Sequence, residues 1–300
     1  MEKTLTRRRG TDIAASVCKW GVLVILLVYC LTLIYPLVWM LLNSLKDEWA
    51  YTKNLFGLPD VWMWENFAIA FKNLKATDPT GLKTFHIGEM FLISVFRSGA
   101  VSFIMVFFQA ICSYVLAKYK FVGNRFIYSL GIVVMILPII GSMPSAMLIA
   151  KAIGTYDNLW LSTITAPSNI FGLNFLILYA AHKAIPKDFS EAAFMDGASH
   201  SRVLFQIMLP MVVPTCAVIF VLNFLANWND YSVHLIWLPS YPNLALGLYL
   251  FQRTSISGID SVTQPQMLAG FAIVMIPTVL LYLASQNLIV SKFTVGGLKG

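Results

Sequence analysis

The sequence predicts an all-α integral membrane protein with six transmembrane helices and both termini cytoplasmic. Composition and the spacing of apolar runs carry this expectation. Of the 300 residues 58% are hydrophobic and only 12% charged, the mean hydropathy is +0.73, and no long polar block would build a separate soluble domain. A helix rises about 1.5 Å per residue, so crossing about 30 Å of hydrocarbon takes about 20 apolar residues. Windows of that kind fall at about 20–43, 90–117, 126–150, 168–185, 206–229 and 267–290. Residues 1–300 are therefore expected to form a single transmembrane domain.

The first window follows Arg7, Arg8 and Arg9, as the core of a signal peptide would. Its run continues past about 20 residues without a small-x-small cleavage site, so a retained span is expected, with 1–19 as a cytoplasmic tail. Residues 44–87 form an external loop in which Trp49, Tyr51, Trp62 and Trp64 stand beside Lys, Asp and Glu. That mixture suits an interfacial anchor or a docking surface for an external partner. In the second window Arg97 lies about two turns inside the outer edge, where a charge facing lipid costs about 2.5–3.5 kcal/mol. It either snorkels outward or lines a wet path.

Pro186 closes the fourth window, and residues 186–205 break the apolar pattern. Within "SEAAFMDGASHSRVLFQIMLP" (190–210) and the residues just before it, Asp188 is expected as an N-cap with Glu191 at capping-box spacing. Gly197 stands where a left-handed stop would end a two-turn helix. Ser199 can cap a second helix that runs through Arg202 and Phe205 into the fifth span at Leu209 and Pro210. Ala192 and Ala193 leave the backbone open to close approach, and Phe194 and Met195 offer apolar area. The product is a small knob. In the fifth window Asn223 and Asn227 share one helical face, and Asn169 and Asn174 are similar amides on the fourth. Such groups belong at helix contacts or on a water-filled path. Pro138, Pro144, Pro210, Pro214 and Pro277 are expected to kink the spans. Residues 291–300 form the closing tail.

The distribution of charge sets the orientation. Segments on the N-terminal side of the membrane carry 13 of the 21 Lys and Arg and 5 of the 14 Asp and Glu, leaving that face at +8 and the remainder at −1. By the positive-inside rule this face is cytoplasmic. The net charge of +7 thus reflects topology, and nucleic acid is not expected as a partner. Cys18, Cys30, Cys112 and Cys216 are widely spaced in apolar runs, which makes them small hydrophobic residues; no metal site is expected. No nucleotide-binding glycine motif or metalloprotease motif is present, so no catalytic residue is assigned.

The stretch from Glu191 to Pro210 resembles the EAA motif of bacterial ABC importer permeases: Glu191, Ala192, Ala193, then Gly197, then Ile207, Leu209 and Pro210 at the family's spacing. "YPLVWMLLNSLKD" (35–47), "AKYKFVGNR" (117–125), "AIPKDFSEAAFMDGAS" (184–199), "NWNDYSVHL" (227–235) and "GGLKG" (296–300) resemble the smaller permease of maltose-type carbohydrate importers. One departure is Ile93-Ser94, where the family often has Asn-Ser. The resemblance implies a multi-pass subunit of the bacterial plasma (inner) membrane that forms half of a sugar path. It implies that 186–205 is the coupling helix, with Glu191, Ala192, Ala193, Asp196 and Gly197 at a groove of an ATP-hydrolysing partner. Two such ATPase subunits, a second and different permease chain and an external solute-binding protein would complete the complex. ATP and magnesium would bind the ATPase partner, leaving this chain without a cofactor. For a sugar path the candidates are Asn223, Asn227, Trp228, Asn169 and Asn174, since amides and flat aromatic faces hold hydroxyl-rich solutes.

Alternatives weighed against this are the same importer carrying a non-sugar solute such as a phosphorylated polyol, a secondary transporter, and a membrane-embedded enzyme. A secondary transporter would usually show repeats or a buried carboxylate, and no acidic residue lies mid-span here. An enzyme would need convergent polar groups at depth, whereas His86, His182, His200 and His234 fall near span ends.

Overall fold

A computed structural model describes residues 2–137, 141–166, 170–257 and 262–293. In chain order the elements begin with α1 (Glu2–Ser44), α2 (Glu48–Lys53), α3 (Glu65–Asn73), β1 (Lys75–Thr77), β2 (Thr84–His86) and α4 (Ile87–Lys118). There follow α5 (Asn124–Ile136), α6 (Met143–Ala152), α7 (Leu159–Thr165), α8 (Leu173–Ala184), α9 (Asp188–Met195) and α10 (His200–Val203). A π-helical turn (Leu204–Met208) leads into α11 (Leu209–Asn229), then α12 (Ser232–Trp237), α13 (Leu244–Ser257) and α14 (Gln264–Phe293). The chain divides into two compact units, 1–73 with 254–273, and 74–253 with 274–300.

In the first unit, α1 is exposed continuously from Cys18 to Val38. An apolar face of this length requires cover by lipid or another chain. Its C-terminal end is fixed by polar contacts. Asn66 donates from Nδ2 to the carbonyls of Ser44 (2.9 Å) and Lys46 (2.8 Å), and Lys46 donates from Nζ to the Asn54 carbonyl at 2.6 Å. Burial lowers the pKa of the Lys46 amine. The Trp62 and Trp64 rings stack at 6.4 Å, and Lys53 sits 4.5 Å from the Trp49 ring. These rings remain solvent-facing.

The second unit is organised around α4, which packs on α8, α11 and α7. Its buried face repeats small polar residues every fourth position at Ser94, Ser98 and Ser102, and continues through Val106, Ala110 and Ser113. Small side chains let neighbouring helices approach closely where no water competes. Ser94 also accepts the Leu244 N–H at 2.8 Å, which ties the start of α13 to α4. At Gly247 an added Cβ would lie 2.5 Å from the Met90 sulfur, so the α13–α4 contact depends on that glycine.

Among the described residues four helices are long and apolar enough to cross a membrane: Cys18–Ser44, Ile87–Lys118, His200–Asn229 and Gln264–Ala284. The window 126–150 does not form one uninterrupted helix. α5 ends after 13 residues and Leu137 is extended (φ −72°, ψ 117°), as expected of the residue before a proline. Gly141 then takes φ +79° before α6 begins. The window 168–185 likewise yields the 12-residue α8, which starts after the extended Gly172.

A second correction is to the all-α expectation. β1 and β2 form an antiparallel hairpin with Ala76 opposite Phe85, both buried. Three-residue strands give too short an alternation to be seen in sequence. The prolines also divide: Pro144 sits in a first turn, where the missing N–H costs little, Pro210 directly follows the π-helical turn within the continuous helix His200–Asn229, and Pro214 and Pro277 lie inside helices. Pro138 lies outside the described residues.

Candidate functional site

A cavity of about 630 Å³ opens among α4, α6, α7, α11 and α12, within the range of about 300–1,000 Å³ usual for small-molecule sites. Its polar wall consists of Arg97, Thr155, Ser162, Thr165, Asn223 and Asn227. Asn223 and Asn227 therefore face a cavity, and Asn223 also links two helices. Asn174 donates from Nδ2 to Asn223 Oδ1 at 3.0 Å, which joins α8 to α11, and Asn227 donates to the Asn223 carbonyl at 2.8 Å. Asn169 lies outside the described residues. Arg97 resolves to the inward alternative, being 6% exposed and part of the cavity wall.

Trp228 corrects the expectation of a sugar-facing ring. It is 4% exposed, stacked on Phe224 (centroids 5.8 Å) and edge-on to Phe91 (5.7 Å) inside the apolar core, and it takes no part in the cavity wall. It directly follows Asn227, and that single step of about 100° around the helix turns it from the cavity to the core. The three hydroxyls of the wall were not anticipated. They lie in the broken stretch after Gly141, and only that run of glycine and proline signals pointed to irregular backbone there.

At the other candidate site, α9 bends through Gly197 into α10. Gly197 has φ +78°, its N–H donates to the Phe194 carbonyl (3.0 Å), and the Ala198 N–H donates to the Ala193 carbonyl (2.9 Å). This is the left-handed stop with two reversed bonds. Ser199 caps α10 by accepting the Arg202 N–H at 3.4 Å. The expected capping box is not formed. The helix starts one residue earlier, with Lys187 at the cap position, so Asp188 is already helical and the Glu191 N–H donates to the Lys187 carbonyl at 3.0 Å. Both acids still sit in the first turn, where the helix dipole favours them.

The Glu191 side chain makes no hydrogen bond or ion pair among the described residues, and Glu191, Ala192 and Asp196 are exposed. Ala193 is not: it packs on Tyr114, Val203 and Met208. Its small size serves the chain's own packing. Tyr119 Oη lies 2.9 Å from His200 Nδ1, and the Phe194 and His200 rings meet at 4.9 Å. The knob is thereby clamped to the C-terminal end of α4, where Lys118 also donates to the Ile185 carbonyl. The π-helical turn that follows carries the Leu209 N–H to the Leu204 carbonyl. It lies directly before Pro210, which has no N–H to give.

Among the described residues no group of three His, Cys, Asp or Glu could hold a metal ion, and all four cysteines are free thiols. A bundle of apolar helices around a polar-walled cavity, with an exposed acidic knob clamped to one end, defines a multi-pass solute permease. The chain belongs to the family of binding-protein-dependent transport system inner membrane components, whose pattern matches residues 109–295. It is 27% identical to the diacetylchitobiose uptake system permease protein NgcG of Streptomyces coelicolor, over 91% of this chain and 86% of that one. It is 28% identical to the arabinooligosaccharides transport system permease protein AraQ of Halalkalibacterium halodurans, over 89% of this chain and 91% of that one. A solved bacterial ABC transporter involved in the import of the acidic polysaccharide alginate has the same fold: TM-score 0.72 at 22% identity, covering 88% of this chain and 93% of that one.

Proposed function

We propose that this chain is the membrane-spanning permease of an ATP-driven carbohydrate importer, forming half of the path for a sugar or oligosaccharide. The observation that carries the sugar reading is the near-full-length likeness to permeases named for diacetylchitobiose and arabinooligosaccharide uptake. In this reading six segments cross the membrane with both termini cytoplasmic, the third and fourth crossings being the broken stretches α5–α6 and α7–α8. Residues 186–205 seat in a groove of an ATPase partner, with Glu191 offered as the charged contact, Ala192 and Asp196 beside it, and Ala193 and Gly197 fixing the knob's shape. Asn223 and Asn227 line the solute path, and Asn174 positions Asn223.

A second, different permease, two ATP-binding subunits that hold ATP and magnesium, and an external solute-binding protein complete the assembly. The free Glu191 carboxylate and the uncovered face of α1 each support a contact with a partner or lipid. ATP closure of two ATPase subunits would move their grooves together, and a knob clamped to α4 would pass that motion to the cavity.

Reconstitution with the partner subunits in vesicles tests this. ATP-dependent uptake of a labelled oligosaccharide is expected, and uptake by the chain alone would refute it. Cysteines at Lys53 should react with an impermeant reagent from outside, and those at Lys120 and Lys187 should not; outside labelling of Lys187→Cys would overturn the orientation.

A further inference from the structure

The polar wall of the cavity is unbalanced. Two of its buried nitrogen atoms, Arg97 Nε and Asn223 Nδ2, have no hydrogen-bond partner. Both are donors. The hydroxyls of Thr155, Ser162 and Thr165 are already spent as donors to the carbonyls of Ala150, Leu159 and Leu161. An amide can exchange donor for acceptor by flipping, but a guanidinium has only donors and keeps its charge.

Arg97 stands ten residues into α4, roughly 15 Å along its axis from the helix start and about two turns inside the outer edge of the apolar window. A purely structural arginine at that depth would be tied to backbone carbonyls or paired with an acid. Arg97 makes no hydrogen bond or ion pair among the described residues. The carboxylate whose charge acts on it is Asp230, which forms no ion pair with it and uses one of its oxygens locally. Its Oδ1 accepts the N–H of Ser232 (2.8 Å), the hydroxyl of Ser232 (2.5 Å) and the N–H of Val233 (3.3 Å), holding the start of α12. A buried cation that faces a cavity with no acid in direct contact can take up a mobile anion.

The geometry points to an anion subsite in this cavity, in which Arg97 and Asn223 Nδ2 hold the carboxylate of an acidic saccharide as it passes. This rests on the cavity being the solute path. The substrate class it names is a uronate-bearing sugar in place of a neutral one.

The test uses the assembled importer in detergent, with a galacturonate dimer and the matched galactose dimer as probes. Binding of each is measured by calorimetry and by the shift in melting temperature. The uronate dimer is expected to bind about tenfold or more tighter than the neutral one, the scale of one charge-assisted pair. Arg97→Gln should bring the ratio to about one, and Arg97→Lys should keep part of the preference because the charge remains but the fork is lost. Asn223→Asp gives Arg97 an internal carboxylate and should also abolish the preference, which keeps the test decisive should Arg97→Gln fail to assemble. Equal binding of the two dimers, no uronate binding, or a full preference that survives in Arg97→Gln or Asn223→Asp would overturn the subsite. Neutral-sugar uptake without uronate preference would remove the subsite alone and leave the carbohydrate importer standing.

Discussion

Replacing Gly197 isolates the backbone requirement of the knob. An added Cβ there would meet nothing within 4 Å, so no clash complicates the outcome. The whole cost lies in φ +78°, a conformation in which a β-branched residue is strained. A residue with a Cβ in left-handed geometry loses about 1–2 kcal/mol, which shifts the population of the native bend about 5–30-fold. Asn tolerates the same region far better. Gly197→Val should therefore loosen the two reversed bonds at the Phe194 and Ala193 carbonyls and raise amide hydrogen exchange over 193–199. Gly197→Asn should leave exchange near the parent level. In the reconstituted complex, the Val variant should retain less ATPase or hydrolyse ATP with less transport per turnover, and the Asn variant should resemble the parent. Equal behaviour of the two variants would refute the reasoning, because it would mean that the left-handed bend does not set the knob's geometry.

Two further predictions concern groups away from the knob. Trp228→Ala should cost about 3–5 kcal/mol, since a fully packed ring stacked on Phe224 leaves a cavity, and the expected readout is a lower melting temperature in detergent with unchanged solute preference among molecules that fold; a changed preference at full stability would restore it to the solute path. His234 is 1% exposed with Nδ1 bonded to the Tyr241 carbonyl, and burial lowers its pKa to about 4 from an ordinary 6.5. The folded state therefore resists protonation. Stability should be flat above about pH 7, fall as the unfolded chain takes up its proton below about pH 6.5, and level off near pH 4, for a loss on the order of 3 kcal/mol. His234→Gln should remove its share of that slope from melting curves, and an unchanged slope would assign the pH dependence to other groups.

Sequence reasoning succeeded where one periodicity dominated. The windows around α1, α4, α11 and α14 are long and apolar enough to outweigh everything local, and the Gly197 stop and Ser199 cap followed from backbone geometry that few residues satisfy. It failed where a window average hid punctuation. The run "LPIIGSMP" (137–144) carries the proline and glycine signals that separate α5 from α6, yet its apolar mean merges with its flanks. The Asp188–Glu191 spacing suggested a capping box, but the helix began one residue sooner and the Asp188 side chain could no longer cap it. Facing was the other limit. Asn227 and Trp228 are neighbours in sequence, and only the placement of α4 and α6 decides which of them meets the cavity and which meets the core.

The two candidate sites share their helices. α4 carries Arg97 in the cavity wall and, 17 positions later, Tyr114 against Ala193 of the knob, a separation of about 25 Å along one helix. α11 begins at the π-helical turn that follows the knob and reaches the cavity with Asn223 and Asn227. In the proposed reading, a displacement of the knob would be applied to the α4 and α11 sides of the cavity through continuous helices. Loops with freedom to absorb it do not intervene on these two routes. Such an arrangement can be bistable because the two helices meet over small residues and apolar contacts, which slide more readily than a net of buried hydrogen bonds would. The polar links to the knob lie at the C-terminal end of α4, where Tyr119 meets His200 and Lys118 meets the Ile185 carbonyl. Weakening an end link should therefore uncouple the knob from the cavity without altering what the cavity binds, whereas changing the cavity wall should alter binding without loosening the knob. That separation is the physical content of assigning coupling to 186–205 and passage to the α4–α11 wall.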